Sequence, residues 1–486
     1  MHIVNAGNYY YQPSDLSISQ GDSVKFINDN GYHDVLITAG PEVLNLPACS
    51  GPCDIGVLVF NTPGDYEYIC SIGSHSSLGM VGTISVSENN QTVAFQPQTK
   101  EELQIAVDLW ASDNATALES YGEINTWDVS LITNMDHLFS DKQNFNDDIG
   151  NWDVSNVSNM NSMFFKAYAF NQDISEWDVS NVTVMSNMFN EAVNFNRDLS
   201  EWDVSSVTNM GQMFLIATSF DSDISGWDVS NVTNMGSMFQ FSNFNQDISG
   251  WDVSQVTNIH RMFQENSSFN QDLSNWDVSN VTNMHATFSY ATSFNGDLST
   301  WDVSSVTDMG ALFSGVIQYS QDLSSWNVAN VVNMSYMFKD AQNFNQDLSN
   351  WDVSNVTDMQ EMFKDAQNFN QDLSNWDVSN VTHMEKMFWR AFSFNNDLSP
   401  WNVSSVTSMR NMFRNAQNFN QDLSNWDVSN VNDFDGIFLN ASSLSDENKC
   451  TIHTSWSIND AWPYDWSGLC ITQSNNYSLS FDGNND

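Results

Sequence analysis

Two hydrophobic rhythms divide the chain. Over residues 1–88 apolar positions alternate with polar ones, as at Leu16 and Ile18, Val24 and Phe26, and Val35 and Ile37, with glycine and proline between the runs. A period of two marks strands with one buried face, so this stretch predicts a small all-β sandwich. After residue 126 the period becomes 25. Thirteen tryptophans run from Trp127 to Trp426 at intervals of 25 residues, save one of 24 between Trp227 and Trp251. Thirteen units of fixed period predict a solenoid in which each coil contacts only its neighbours. A propeller, whose blades repeat every ~40–45 residues, is excluded. With strands ~4.8 Å apart, the stack is a rod on the order of 60 Å long.

The unit that starts at Trp351 reads WDVSNVTDMQEMFKDAQNFNQDLSN. Met359, Met362, Phe363 and Ala366 fall at i, i+3, i+4 and i+7, which predicts a short helical segment. Residues 372–378 read as the strand of the next coil. One strand and one helical turn per unit predict a leucine-rich-repeat-like α/β solenoid. The WDVSxVTxM, MFxxAxxF and FNxDLS blocks resemble the BspA-like leucine-rich-repeat family of bacterial surface proteins. That resemblance implies an extracellular or cell-surface protein, adhesive in some members, without catalysis.

The array needs closed ends. Thr99-Lys100-Glu101-Glu102 fits a capping box, and Leu103, Ala106, Val107 and Trp110 continue it as a helical stripe. Residues 89–126 therefore read as linker and N-terminal helical cap, and 127–445 as the array. Residues 446–474, with Trp456, Trp462, Trp466, Cys450 and Cys470, read as a C-terminal cap. Residues 475–486 resemble the first strand of a laminin-G-like jelly roll, as if a further domain followed. Met1-His2-Ile3-Val4 has neither a basic nor an apolar leader, so a signal peptide is expected to be absent or removed.

Distinctive chemistry is confined to residues 1–88. The run Pro63-Gly64-Asp65-Tyr66-Glu67-Tyr68-Ile69-Cys70 leads into a loop carrying His75 and Met80, and Gly31-Tyr32-His33 lies upstream. Thiolate and thioether favour Cu(I), while imidazole accepts Cu(II). Two histidines, a cysteine and a weak axial methionine are the type 1 copper set. His33, Cys70, His75 and Met80 are thus the candidate ligands of one copper ion. The Cys-x₄-His-x₄-Met loop and its lead-in resemble the cupredoxin family over nearly the whole segment, which implies one-electron transfer. Asp34 stands where relatives often carry Asn, which questions the hydrogen bond that Asn makes beside the thiolate. Cys49 and Cys53 suit either a short-loop disulfide or a second metal handle. Cys450 and Cys470 pair by proximity, leaving Cys70 unpaired among the five cysteines.

Charge narrows the function. Thirteen Lys and Arg stand against 60 Asp and Glu, a formal net charge of −47. That excludes a nucleic-acid binder working by phosphate neutralisation and disfavours docking on anionic lipid. At 41% hydrophobic and 13% aromatic the chain is not disordered, and no run of ~18 apolar residues predicts a membrane helix. An Asp column from Asp148 to Asp422 reads as a turn cap rather than a calcium edge. The Asp after each Trp becomes Asn327 and Asn402 in two coils, so that position needs an acceptor oxygen, not a charge. Met and Phe columns read as core, and Thr and Asn columns as solvated edges rather than glycan or ice surfaces. His137, His260, His285, His383 and His453 show no ligand spacing. The expectation is a non-enzymatic surface protein. Its copper domain transfers electrons to a redox partner protein, and its acidic solenoid binds a surface protein or glycan. The alternative is an adhesin whose copper domain is structural or copper-sequestering. A multicopper enzyme needs further histidines from a second such domain, and the sequence has none.

Overall fold

The structure is a computed structural model that describes residues 1–88 and 94–474; the expected jelly-roll start at 475–486 lies outside the described residues. The chain divides into two compact units, Met1–Val93 and Ala94–Asp486.

Among the described residues the first unit is a sandwich of nine strands: β1 (His2–Gly7), β2 (Tyr10–Gln12), β3 (Asp15–Ser19), β4 (Ser23–Asn28), β5 (Tyr32–Ala39), β6 (Asn45–Ser50), β7 (Cys53–Val59), β8 (Gly64–Ile69) and β9 (Val81–Ser87). They form a four-stranded sheet, β2-β1-β4-β7, and a five-stranded sheet, β3-β9-β8-β5-β6. Alternation does what the sequence predicts. Val24 and Phe26 of β4, Val35 and Ile37 of β5, and Tyr66 and Tyr68 of β8 point into one core. Tyr11, Phe26 and Tyr68 pack there with ring centroids 4.8–6.2 Å apart. Cys49 and Cys53 form a disulfide that joins β6 of one sheet to β7 of the other.

The second unit opens with helix α1 (Lys100–Ser112). Thr99 caps it by accepting from the Glu102 N–H, and the Glu102 carboxylate accepts from the Gln98 N–H. The expected stripe of Leu103, Ala106, Val107 and Trp110 is buried against the first coil. Helix α2 (Asn114–Tyr121) follows. At the far end α3 (Asp446–Trp456) and α4 (Ser467–Ser474) are joined by the Cys450–Cys470 disulfide, and Trp456 stacks on Trp426 at 6.0 Å.

Between these ends the expected strand-plus-helix coil is absent. Among the described residues the coils contain turns and single parallel bridges, twelve in all, from Asn134↔Asn159 to Ser408↔Asp433. Met359, Met362, Phe363 and Ala366 are buried as a helical stripe requires, but Glu361 and Asp365 adopt φ of 54° and 58°. Each occupies the third position of a turn: the Met362 N–H donates to the Met359 carbonyl, and the Ala366 N–H to that of Phe363. A right-handed helix cannot pass through two left-handed residues. The N–H groups of Met359, Glu361, Phe363 and Asp365 donate instead to His383, Glu385, Met387 and Trp389 of the next coil. Residues 372–378 form no strand; the bridging residue of this coil is Asp358, inside the VTxM block.

The apolar columns are core. Trp376 and Trp401 stack at 6.4 Å with 2° between their planes, and Phe363 and Phe388 at 5.7 Å. From Trp152 to Trp426 each of these indole N–H groups also reaches back by about one period, as in Trp376 Nε1 donating to the Leu348 carbonyl at 3.0 Å. The Asp column caps turns: Asp372 Oδ1 accepts from the Ser374 N–H at 2.9 Å. Asn402 does the same for Ser404 at 3.2 Å, as an acceptor-only position predicts.

The 24-residue coil is accommodated by one side chain in its neighbour. Ser242 stands where most coils carry a buried Ala, one residue short of the usual spacing to Phe244. In the following coil Asn266 replaces that Ala and is fully buried. Its amide donates to the Phe244 carbonyl at 2.9 Å, and its oxygen accepts from the Phe269 N–H at 3.1 Å. A side chain thus completes pairing that the missing residue interrupts.

Candidate metal centre

Sheet geometry carries the first two residues to one place. His33 is the second residue of β5, on the same face as Val35 and Ile37, and is 2% exposed. Cys70 follows β8 directly, continues the inward series Tyr66, Tyr68, and is fully buried. The strands β5 and β8 are antiparallel neighbours, so residues 37 apart in sequence meet. Between β8 and β9 the chain makes a compact loop around a 3₁₀ turn, Ser76–Leu78. The His75 N–H donates to the Ile72 carbonyl, the Met80 N–H to that of His75, and the Cys70 N–H to that of Met80. Gly79 takes φ of 105°, a turn that a side chain would resist. Fully buried Met80 closes the loop.

One ligand atom each from His33, Cys70 and His75 lies within 4.8 Å of the others. Cys70 Sγ is 3.6 Å from His33 Nδ1 and 3.4 Å from His75 Nδ1. A sulfur and two imidazole nitrogens converging on one point suit a borderline-soft ion such as copper. Met80 lies on the same loop, tied through its backbone to both Cys70 and His75.

Burial pushes the Cys70 thiol up, partly opposed by backbone hydrogen bonds from Asp34 and Ile72. Burial, and then His75, holds His33 below the ordinary histidine value. Both shifts disfavour charge on the protein groups alone. A bound cation reverses the sulfur's preference, since a coordinating thiol is deprotonated.

Asp34 answers the question its sequence position raises. Its carboxylate accepts from the Ser71 N–H at 2.7 Å and from the Ser71 hydroxyl, tying β5 to the residue after Cys70. The Tyr11 hydroxyl donates to the Asp34 carbonyl. Three other supporting residues were not singled out by the sequence. The Asn28 amide bridges the carbonyls of Gly31 and Cys49, beside His33. Gly31, at φ 89°, leaves room that a Cβ would take from His33 Nε2. Tyr9 meets the His75 ring edge-on at 5.3 Å.

Comparison with known proteins divides at the same place as the fold. The family described as copper binding proteins, plastocyanin/azurin family, matches residues 2–87. A plastocyanin of Prochlorothrix hollandica is 39% identical over 83 residues, covering 16% of this chain and 62% of that protein. A chloroplastic plastocyanin of Physcomitrium patens is 33% identical over 86 residues, covering 16% and 50%. The chain thus spans between half and two-thirds of the length of these relatives. A reduced Cu(I) amicyanin variant aligns at 26% identity over 18% of this chain and 81% of that one, with a TM-score of 0.16. The first unit is an all-β cupredoxin sandwich. The family described as Mycoplasma protein of unknown function, DUF285, matches residues 110–227, 217–316, 294–388 and 371–461. That match corrects the BspA-like leucine-rich-repeat solenoid expected from the sequence, in line with coils that carry neither its strand nor its helix.

Proposed function

Because the chain belongs, through residues 110–461, to the DUF285 family of Mycoplasma proteins of unknown function and carries a cupredoxin sandwich ahead of it, we propose a non-enzymatic, extracellular or cell-surface protein whose first unit transfers electrons through one copper ion and whose repeat array binds a partner. The observation that carries the reading is the convergence of Cys70 Sγ with the Nδ1 atoms of His33 and His75. His33, Cys70 and His75 would hold the ion, and Met80 would be the candidate fourth ligand. Copper, when bound, supplies one-electron cycling. The chain's part is to keep the donors in place. Two strands and a hydrogen-bonded loop fix their positions, and burial excludes competing water, so little rearranges as charge changes. His33 is sealed and His75 half-buried, which makes the His75 edge the shorter route for an electron to a redox partner protein.

The test is Cu(II) titration of the full chain. One equivalent is expected to give an intense visible thiolate-to-copper band, lost in Cys70→Ser. Met80→Gln is expected to keep the band and lower the reduction potential, because the axial ligand tunes the metal. A colourless protein sinks the assignment. Copper bound without reversible redox cycling leaves a sequestering domain on an adhesive array.

A further inference from the structure

The cations of this acidic chain are not evenly placed. Six of the 13 Lys and Arg residues fall between Lys339 and Arg414. The structure gathers them on one face of four successive coils. Thirteen residues after each Trp stands the column Lys339, Lys364, Trp389, Arg414, in which Trp389 alone among these four carries no charge. Its ring lies 4.8 Å from Lys364 Nζ, 5.5 Å from Lys386 Nζ and 5.5 Å from the Arg414 guanidinium carbon. Glu361, nearly fully buried, anchors Lys386 at 2.8 Å, Lys364 at 3.1 Å and Lys339 at 3.4 Å. The cations are therefore held in place rather than left to sweep through solvent.

An open cavity of about 640 Å³ sits beside this cluster, lined by Glu385, Lys386, Trp389, Arg410, Asn411 and Arg414 among others. Three side-chain atoms of its lining are buried and have no hydrogen-bond partner among the described residues: Trp389 Nε1, Arg414 Nε and Glu385 Oε2. Buried polar atoms are nearly always paired, so unpaired ones in residues that line a cavity point to a ligand that pairs with them once these side chains turn toward it. Two are donors beside cationic side chains, which suits an anionic oxygen. The third is a carboxylate acceptor, which needs a donor, such as a hydroxyl. One compact ligand offers both.

We infer that this face binds an acidic sugar unit of a glycan, its carboxylate or sulfate held by Arg414 and the Trp389 indole N–H and a ring hydroxyl held by Glu385. The inference deepens the partner-binding reading of the array and rests on it. The net charge of −47 does not forbid it, because charges more than about 8 Å away are largely screened at physiological ionic strength. Local groups decide: Lys386 is paired to Glu361 and Arg410 to Asp435 at 3.3 Å, whereas Arg414 has a carboxamide, Asn411, rather than a carboxylate as its partner among the described residues and keeps its charge for a ligand.

Calorimetric titration of the full chain with three tetrasaccharides tests it: one bearing glucuronate carboxylates only, one bearing sulfate esters only, and neutral cellotetraose. At least one acidic probe is expected to bind and cellotetraose to fail; which acidic probe binds identifies the anion. Arg414→Gln, and separately Trp389→Phe, which keeps the ring and removes the N–H, are each expected to weaken binding about tenfold. Both variants should melt with the wild type. The inference is overturned if neither acidic probe binds, or if cellotetraose binds as well as they do. Acidic binding untouched by both substitutions also overturns it, while leaving the array a partner-binding element that uses another face.

Discussion

The sandwich and the array use sequence in opposite ways. In the sandwich every position is distinct, and the candidate metal centre depends on residues 37 apart meeting once, across β5 and β8. In the array each contact is made again one coil later, so a Trp meets the next Trp and a Met N–H meets the carbonyl 24 residues on. A rule written thirteen times identifies what is structural. Function is then to be sought in the exceptions, as where the cationic column is interrupted by Trp389.

That contrast can be broken by experiment. Acid is the largest perturbation. Carboxylates along the array, such as Asp178 and Asp228, are held below the ordinary range by the hydroxyl and then the N–H of the Ser two residues on; backbone bonds do the same for Asp173 and Asp297. A depressed folded value gives stability that is complete above the unfolded pKa of about 3.9 and lost as pH falls through the folded value. The array's melting temperature should hold from neutral pH to about 5 and fall progressively below about 4, as pH drops toward and through the lowered folded values. Equal melting at pH 3 and pH 7, by circular dichroism, would show that the caps carry no weight. Next, Trp276→Ala in a central coil should destabilise the array by about 3–5 kcal/mol in denaturant titration, with the copper band unchanged. A loss under ~1 kcal/mol would mean that the indole columns are not core.

Asn266→Ala gives a sharper test, because it restores the residue most coils carry there. It should nonetheless lose about 1–2 kcal/mol by stranding the Phe244 carbonyl beside the short coil. A gain would show that consensus, not pairing, governs the site. The smallest effect is expected from Ala311→Gly. Ala311 sits at φ 55°, a left-handed conformation that costs a side chain about 1–2 kcal/mol. Part of that returns as extra freedom of the unfolded chain, so a gain of about 0.5 kcal/mol should appear in the denaturation midpoint.

How much of this was legible in the sequence depended on the same contrast. Alternation in the first 88 residues and the ligand types around Cys70 announced the sandwich and its centre, because strand period and donor chemistry are local properties. The support from Asn28 and Tyr9 was not legible, since neither residue type signals a contact to a histidine, and Gly31, though two residues before His33, reads only as a turn. In the array the period was plain and its conformation was not. Spacing of i, i+3, i+4 and i+7 says which residues face inward, and a chain of type II turns buries the same set as a helix does. Of the deciding residues, Glu361 rarely adopts positive φ and Asp365 does so less rarely, and glycine stands at the equivalent position in one coil each, Gly436 and Gly315, too seldom to flag the turns. The copy-to-copy hydrogen bonds that hold them there join residues 24 apart.

Those bonds make the coils interchangeable. A coil presents to the next one the same N–H series, the same indole and the same flat phenyl face that it receives from the one before. Excising one full period between two tryptophans would leave every remaining junction of a kind already present, with α1 and α3 still seated on an ordinary first and last coil. Outside the coils from Lys339 to Arg414, coil number is thus a free setting of the gene: a duplication or loss of 25 codons changes how far the two ends of the array stand apart and little else, whereas loss of a single codon demands a patch of the kind Asn266 provides.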